Sequence, residues 1–209
     1  LDSLQFSNIS WNALRLSLRD SKKRDQITKA IHSQWQTKYV CKKWKLSDNA
    51  ECPLCDHDNE TWEHILRCPN IHLQRVRNEF LVNLRKDLMT LKTNNVLCDY
   101  IITSIKQWLN GRDPERLPQA YFFPATHIQN AHTHQEAIGF SLFMKGLLSP
   151  KWGEIQELDY DFNRLPANYN KIRWEKKLIS SLQTFIINVW NERCKIIHAA
   201  NIDTNEVRY

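Results

Sequence analysis

Three cysteines and one histidine between residues 52 and 68 constrain how the middle of the chain can fold. Their spacing is C-x2-C-x8-H-x3-C, and the residues are Cys52, Cys55, His64 and Cys68. Three thiolates and one imidazole form the ligand set of a closed, tetrahedral Zn²⁺ site. His64 and Cys68 are four residues apart, which places both on one face of a helical turn. The spacing therefore predicts a structural zinc ion in a knuckle over residues 51–69, with no open position for catalysis.

Two other interpretations of these cysteines are a set of disulfides and a set of unrelated buried thiols. Neither accounts for a histidine at helical spacing from the last cysteine, and no secretory signal precedes the cluster. Within the segment, His57 is an alternative ligand to His64, although it lacks a partner four residues on. Cys41 is close enough in sequence to be a substitute ligand. Cys41, Cys98 and Cys194 are expected to be buried free thiols, which indicates a reducing, intracellular location in the nucleus or cytoplasm.

Positive charge is concentrated ahead of the cysteine cluster. Residues 1–45 contain ten basic and three acidic side chains, a balance of +7, whereas the whole chain carries +6. Such a field suits an anionic partner such as DNA or RNA. The alternative is a solvated helix surface on a basic protein, and charge alone favours neither interpretation strongly. The predicted contacts to nucleic acid are Arg19, Lys22, Lys23, Arg24, Lys38, Lys42, Lys43 and Lys45.

Aromatic residues lie among these charges, at Trp11, Trp35, Tyr39 and Trp44. Aromatic rings between lysines and arginines can stack on unpaired bases. They can equally belong to the core, which we favour for Trp11 and Trp35.

The apolar residues recur at the helical period, and no stretch shows the alternation of a strand. Predicted helices cover a short segment around Leu14–Leu18 and residues 25–34, 71–92, 96–109, 126–147, 150–163 and 169–199. The last of these should bury Leu178, Leu182, Phe185 and Val189. We therefore expect a mainly α-helical bundle with an embedded Cys₃His zinc knuckle. No apolar run reaches the length of a membrane-spanning helix, so no membrane insertion is expected.

Proline steps after Gly111 divide the helical pattern. They predict a basic helical region with the knuckle and two following helices over 1–110, a loop over 111–125, and a helical subdomain over 126–209. Because the first residue is Leu rather than Met, we expect the chain to be a piece of something longer.

The segment from residue 32 to residue 69 resembles the zinc-binding region near the C-terminus of reverse transcriptases from eukaryotic non-LTR retroelements. The resemblance is carried by Cys52-Pro53-Leu54-Cys55, by Glu60-Thr61 with His64-Ile65-Leu66, and by Cys68-Pro69. More weakly, residues 135–140, 146–152 and 190–198 resemble the tail of retroelement-like reading frames from algae and related protists. Cys194 and Ala199 depart from that tail, which there carries Asn and Gly.

This resemblance implies an accessory region that binds nucleic acid and lies after a polymerase. No Asp-Asp dyad of a polymerase is present, and Glu154, Glu157, Asp159 and Asp161 lie in a helical stretch without the lysine that a nuclease cluster needs. The expectation is therefore a non-catalytic module. The alternative is a retroelement-derived structural subunit that docks against protein.

One further cluster, His127, His132, His134 and Glu136, suggests a second metal site. His132 and His134 face apart on a helix, so surface histidines are the favoured interpretation. Trp190 and Arg193 are spaced for a cation–π pair, with Trp190 favoured as a packing residue.

Overall fold

The computed structural model describes residues 6–118 and 123–206, with side chains up to residue 199. No strand occurs within those two ranges, so the prediction of a mainly α-helical fold is confirmed. The helices, in chain order, are α1 (Trp11–Arg19), α2 (Arg24–Ile31), α3 (Lys38–Lys43), α4 (Trp62–Arg67), α5 (Ile71–Thr90), α6 (Asn95–Leu109), α7 (Ala125–Ile138), α8 (Phe140–Met144), α9 (Pro150–Phe162) and α10 (Lys171–Glu206).

The long helices follow the apolar periodicity closely. Helix α10 buries Leu178, Leu182, Phe185 and Val189, as predicted, each at most 1% exposed. It begins two residues later than expected and continues beyond residue 199, to Glu206. Helix α5 ends at Thr90, and Lys92 in the turn beyond it takes a positive φ of 53°.

The predicted helix over residues 126–147 is wrong in its second half. Gly139 has φ 108° and ψ 134°, which no helix accommodates, and it separates α7 from α8. The side chain of Gln135 stabilises this break. Its Nε2 donates to the carbonyl oxygens of Gly139 and Leu147, and its Oε1 accepts the backbone N–H of Ser149 at 2.8 Å.

Contacts divide the chain into two compact units. Unit one comprises residues 1–24 and 81–183, and unit two comprises residues 25–80 and 184–209. The predicted division at residues 111–125 does not coincide with a boundary between these units. Residues 111–118 are indeed non-helical, and 119–122 lie outside the described residues. Of the three boundaries between the contact-based units, one follows the first residue of α2 and the other two fall inside α5 and α10. The latter two could not be predicted, because a continuous helix gives no local signal that its two halves belong to different cores.

In unit one, α9 packs against α7, and α7 contacts α6 and α8. The largest fully buried side chains here are Trp152 of α9 and Trp174 of α10. Both indole N–H groups have partners, since Trp152 Nε1 donates to Gln135 Oε1 at 3.2 Å and Trp174 Nε1 donates to Thr93 Oγ1 at 2.8 Å. Hydrogen bonding allows these two large rings to be buried without leaving a polar atom unsatisfied.

Unit two holds the cysteine cluster. Its core joins the first half of α5 to the last part of α10, and the rings of Phe80 and Phe185 stack at 4.1 Å between centroids. Trp35 is 4% exposed, which confirms it as a core residue, and its ring stacks on Trp190 at 4.7 Å. Trp11, in unit one, is only half-buried. None of the helices within the described ranges combines the length and the apolar character needed to cross a bilayer.

Candidate metal centre

The four predicted ligands converge. One ligand atom from each of Cys52, Cys55, His64 and Cys68 lies within 4.8 Å of all the others. The sulfur atoms of Cys52 and Cys68 are 4.0 Å apart, and Cys55 Sγ lies 3.3 Å from His64 Nε2. All six cysteines of the chain are free thiols, so the disulfide interpretation is wrong.

Backbone hydrogen bonds build the first half of the site. The carbonyl oxygen of Cys52 accepts the N–H of Asp56 at 2.9 Å, and the N–H of Cys52 donates to the carbonyl oxygen of His57 at 2.8 Å. Asp56 completes this turn with φ 57°, a left-handed conformation that aspartate tolerates better than most residues. The tight turn brings Cys52 and Cys55 to the same side.

Helix α4 supplies the second half. Thr61 caps it, and its Oγ1 accepts the backbone N–H of His64 at 3.1 Å, as the polar residues before the helix predict. Cys68 is the C-terminal cap residue and has left the helix, with ψ 131°. The prediction that His64 and Cys68 share one helical turn is therefore only approximate. Both still reach the cluster, because the chain turns at Cys68.

The donor set fits a tetrahedral divalent ion. Typical Zn–S and Zn–N bonds of ~2.3 and ~2.1 Å imply sulfur–sulfur separations of about 3.8 Å and sulfur–nitrogen separations of about 3.6 Å. The corresponding distances here are 4.0 Å and 3.3 Å. Three sulfurs and one imidazole nitrogen match the donor preference of Zn²⁺. Four protein donors fill the tetrahedron, so such an ion would serve folding.

The electrostatics of the three thiols also favour a cation. A hydrogen bond to Cys68 and burial raise the pKa of Cys52 to about 12, and the same hydrogen bond lowers the pKa of Cys68. Burial raises the pKa of Cys55. Each sulfur also has a backbone N–H partner that favours its thiolate, from Leu54, His57 or Asn70. Deprotonating the buried Cys52 and Cys68 and the half-buried Cys55 together would require a nearby positive charge, which a divalent ion would supply.

The alternative ligands His57 and Cys41 are not part of this group. The His57 ring stacks on the His64 ring with centroids 4.3 Å apart. Its Nδ1 accepts the backbone N–H of Asn59 at 3.2 Å, so His57 stabilises the loop instead. Cys41 lies on α3 and is half-buried, as is Cys194, so the expectation of buried thiols holds only for Cys98.

A buried ion pair adjoins the knuckle. Glu60, which is fully buried, accepts two hydrogen bonds from Arg193 of α10, at 2.9 Å to Oε1 and 2.6 Å to Oε2. Glu60 Oε2 also accepts the backbone N–H of Lys38, the first residue of α3, at 2.7 Å. Burial opposes the charge of Arg193, but the hydrogen bonds and charge of Glu60, together with Cys194, outweigh burial and raise the pKa of Arg193. One carboxylate therefore connects the knuckle, α3 and α10.

In the sequence, Glu60 was noted only as part of the Glu60-Thr61 motif, and this ion pair was not predicted. The two partners are 133 positions apart, and no local pattern connects them. The predicted cation–π pair is present, with the Arg193 guanidinium 5.0 Å from the centre of the Trp190 ring.

The predicted nucleic-acid contacts divide between the two units. Arg19, Lys22, Lys23 and Arg24 belong to unit one, and Lys38, Lys42, Lys43 and Lys45 belong to unit two. Arg19 pairs with Asp20 at 2.9 Å. In the part of the chain that the structure describes, Lys42, Lys43 and Lys45 are exposed and make no salt bridge.

The histidines of α7 do not form a second metal site among the described residues. The expectation of surface histidines is wrong for His132. This residue is 2% exposed, and its Nδ1 is hydrogen-bonded to the hydroxyl of Tyr100. Burial lowers the pKa of His132 and raises that of Tyr100 to about 12. His134 Nδ1 lies 2.8 Å from Ser149 Oγ, and His127 is exposed.

Comparisons with protein-family models, with curated proteins and with solved structures each found no match. The fold and the site thus define a mainly α-helical protein with a Cys₃His candidate metal centre.

Proposed function

We propose that this chain is a zinc-stabilised, non-catalytic module that binds nucleic acid, comparable to the accessory region that follows the polymerase in non-LTR retroelement reverse transcriptases. Zn²⁺ bound by Cys52, Cys55, His64 and Cys68 orders the knuckle. The lysines of α3 and the turn after it contact phosphates. Because the metal has four protein ligands, no catalytic role is assigned to it.

The observation that carries the proposal is the hydrogen bond from the Lys38 backbone to Glu60. It joins the first residue of α3 to Glu60, the residue before the N-cap of α4, at 2.7 Å. Helix α3 and the turn after it carry lysines at 38, 42, 43 and 45 and no acidic residue. A lysine cluster without counter-charges, held by a rigid element, is what electrostatic binding to a polyanion requires.

The first test measures metal content and ligand dependence. Protein purified without added metal and analysed by mass spectrometry should contain one zinc per chain. Co²⁺ serves as a spectroscopic substitute for zinc. Cys55→Ala should abolish Co²⁺ binding, whereas His57→Ala should bind Co²⁺ and show the thiolate-to-cobalt charge-transfer band. Loss of the band in His57→Ala with retention in His64→Ala would show that the wrong histidine was assigned.

The second test is a salt titration of binding to labelled DNA and RNA. Log affinity should fall linearly with log salt concentration, by roughly 0.7 per phosphate contact on a single strand and 0.9 on a duplex. Neutralising Lys42, Lys43 and Lys45 should weaken binding and reduce the slope by about 2 on a single strand. Neutralising Lys22, Lys23 and Arg24 tests by the same two measurements, affinity and salt slope, whether unit one also contacts phosphates.

The control for net charge is the triple substitution of Lys86, Lys106 and Arg112, which are exposed residues of unit one. It removes the same three charges and should leave the slope unchanged. Absence of binding at low salt, or equal effects of all three triple variants, would contradict the proposal.

The alternative, a structural subunit that docks against protein, has one specific observation in its favour. Leu158 and Phe162 lie four residues apart on α9 and are 47% and 84% exposed. Exposed apolar side chains on one helix face often mark a protein interface. A photo-cross-linking residue at position 162 should then give one dominant protein adduct in cells, and only diffuse adducts if this interpretation is wrong.

A further inference from the structure

The segment Lys38–Leu46, here called the lysine helix segment, ends in a complete Schellman turn. The N–H of Leu46 donates to the carbonyl oxygen of Cys41 at 2.8 Å, and the N–H of Lys45 donates to that of Lys42 at 3.0 Å. Lys45 therefore occupies the left-handed position, with φ 59°, where glycine is usual. At the other end, Thr37 caps the helix by accepting the N–H of Val40 at 3.2 Å. Both ends of the segment are thus fixed.

Two aromatic rings of this segment face solvent. Tyr39 is 46% exposed and Trp44 is 48% exposed, and neither ring stacks on another within the described residues. Tyr39 lies three and four residues before Lys42 and Lys43, which places the three side chains on one helix face. Trp44 and Lys45 are adjacent at the turn. Large rings normally lose such exposure by packing, as Trp35 does nearby in sequence.

We infer that the lysine helix segment binds single-stranded nucleic acid, with Tyr39 and Trp44 stacking on unpaired bases and Lys42, Lys43 and Lys45 contacting phosphates. This inference rests on the proposed function and narrows it to one substrate class. Every base has an aromatic face that is available only when the strand is unpaired, whereas a duplex covers those faces. Lysines alone would bind a single strand and a duplex alike, so the exposed rings are the feature that favours the single strand over the duplex.

The two kinds of contact differ in their dependence on salt. Phosphate contacts release counterions and set the slope of log affinity against log salt. Stacking involves no ion release and changes affinity at every salt concentration by the same factor. Removal of one ring should weaken binding by about five- to a hundredfold, the range measured for base stacking on aromatic side chains.

The experiment uses all 209 residues in the zinc-loaded form, and fluorescence anisotropy with a labelled oligothymidine and a labelled duplex of equal length. Tyr39→Leu and Trp44→Leu should each weaken binding to the oligothymidine five- to a hundredfold without changing its salt slope, and duplex binding should change less than twofold. The variants Tyr39→Phe and Trp44→Phe, which keep an aromatic face at each position, should stay within about threefold of the wild-type affinity. Phe162→Leu removes an exposed ring of unit one and should change neither affinity.

The outcomes separate this inference from the proposed function. If Lys42, Lys43 and Lys45 are required but both leucine variants bind normally, or if the duplex binds as tightly as the single strand, the stacking surface is refuted and electrostatic binding stands. If neither nucleic acid binds at low salt, both proposals fail. Tighter binding to phosphatidylserine vesicles than to the oligothymidine would also overturn the inference, because a basic aromatic helix can bind an anionic membrane.

In the lysine variants, glycine is the preferred replacement for Lys45. Glycine suits the φ of 59° at this position, so Lys45→Gly removes the charge without strain.

Discussion

Glu175 lies in the core of unit one, and we predict that its ionisation makes stability fall as pH rises. The residue is fully buried, and Oε2 accepts one hydrogen bond from Ser10 Oγ at 2.6 Å. Oε1 has no hydrogen-bond partner within the described residues and fills the space where a Cβ on Gly153 would lie, 2.3 Å away. Burial raises the pKa of Glu175 to about 7, although the Ser10 hydrogen bond and the charge of Lys171 act in the opposite direction.

The sign follows from the two pKa values. In the unfolded chain Glu175 should titrate near its ordinary value of 4.5, and in the folded chain near 7. Between these values the folded state retains a proton that the unfolded state has lost, so the free energy of unfolding decreases with pH. One pKa unit corresponds to about 1.4 kcal/mol, so the loss reaches about 3 kcal/mol above pH 7, and about 2–3 kcal/mol of it falls between pH 5 and pH 8.5.

The assay is urea unfolding of the wild type and Glu175→Gln at pH 5 and pH 8.5. The glutamine is close in shape and remains neutral, so it should be more stable than the wild type by about 3 kcal/mol at pH 8.5 and by less than about 1 kcal/mol at pH 5. Thiol protonation weakens metal binding at low pH in both proteins and cancels in the difference. Glu115→Gln, at an exposed position, should show no such change. An equal difference between wild type and Glu175→Gln at both pH values would refute the reasoning.

Three further perturbations test the structure. Cys55→Ala, or a chelator added to the wild type, should unfold the knuckle, seen as amide exchange of α4 at the unprotected rate, because the metal supplies about 10 kcal/mol or more of local stability; retained protection would contradict the zinc assignment. Glu60→Gln should cost about 3 kcal/mol or more in urea unfolding, because it leaves the buried Arg193 without its counter-charge, and Arg193→Met in the same chain should recover part of that loss; additive losses in the double variant would show that the two residues do not act as a pair. Gly153→Ala should lower the melting temperature, because its Cβ would lie within 2.3 Å of Glu175 Oε1, and the loss should be smaller when Glu175 is alanine; equal losses in both backgrounds would exclude that contact as the cause.

Local spacing predicted much of this molecule. The metal ligands lie in one short segment, so their chemistry could be inferred from the residue types and their separations. Helix α10 was predictable because Leu178, Leu182, Phe185 and Val189 mark one apolar stripe over several turns. In both cases the information lies within a few turns of the residue concerned.

The features that sequence reasoning missed depend on contacts between distant residues. His132 looked like a surface histidine, but its partner Tyr100 lies 32 positions earlier and on another helix. The break at Gly139 was missed because the apolar pattern continues through it, whereas the hydrogen bonds that stabilise it come from the side chain of Gln135. Neither periodicity nor spacing reports where an isolated polar side chain finds its partner.

The metal ligands of the knuckle and the Glu60–Arg193 ion pair would both order the loop that precedes α4. The first would act by metal coordination, and the second acts by charge and hydrogen bonding. From Lys45 to Thr61 the chain forms no helix, and residues 56–59 are all exposed, so apolar burial contributes little to the order of this stretch. The stretch ends at Glu60 and Thr61, where the ion pair with Arg193 and the N-cap of α4 meet, and its middle carries two of the four metal ligands. A metal held by the cluster would restrict the loop from within, and the ion pair fixes the end of the loop to α10. Because Glu60 also accepts the backbone N–H of Lys38, order in the loop extends to the helix that carries the exposed lysines. This dependence explains how a stretch with so few core residues can position the helix that carries the exposed lysines.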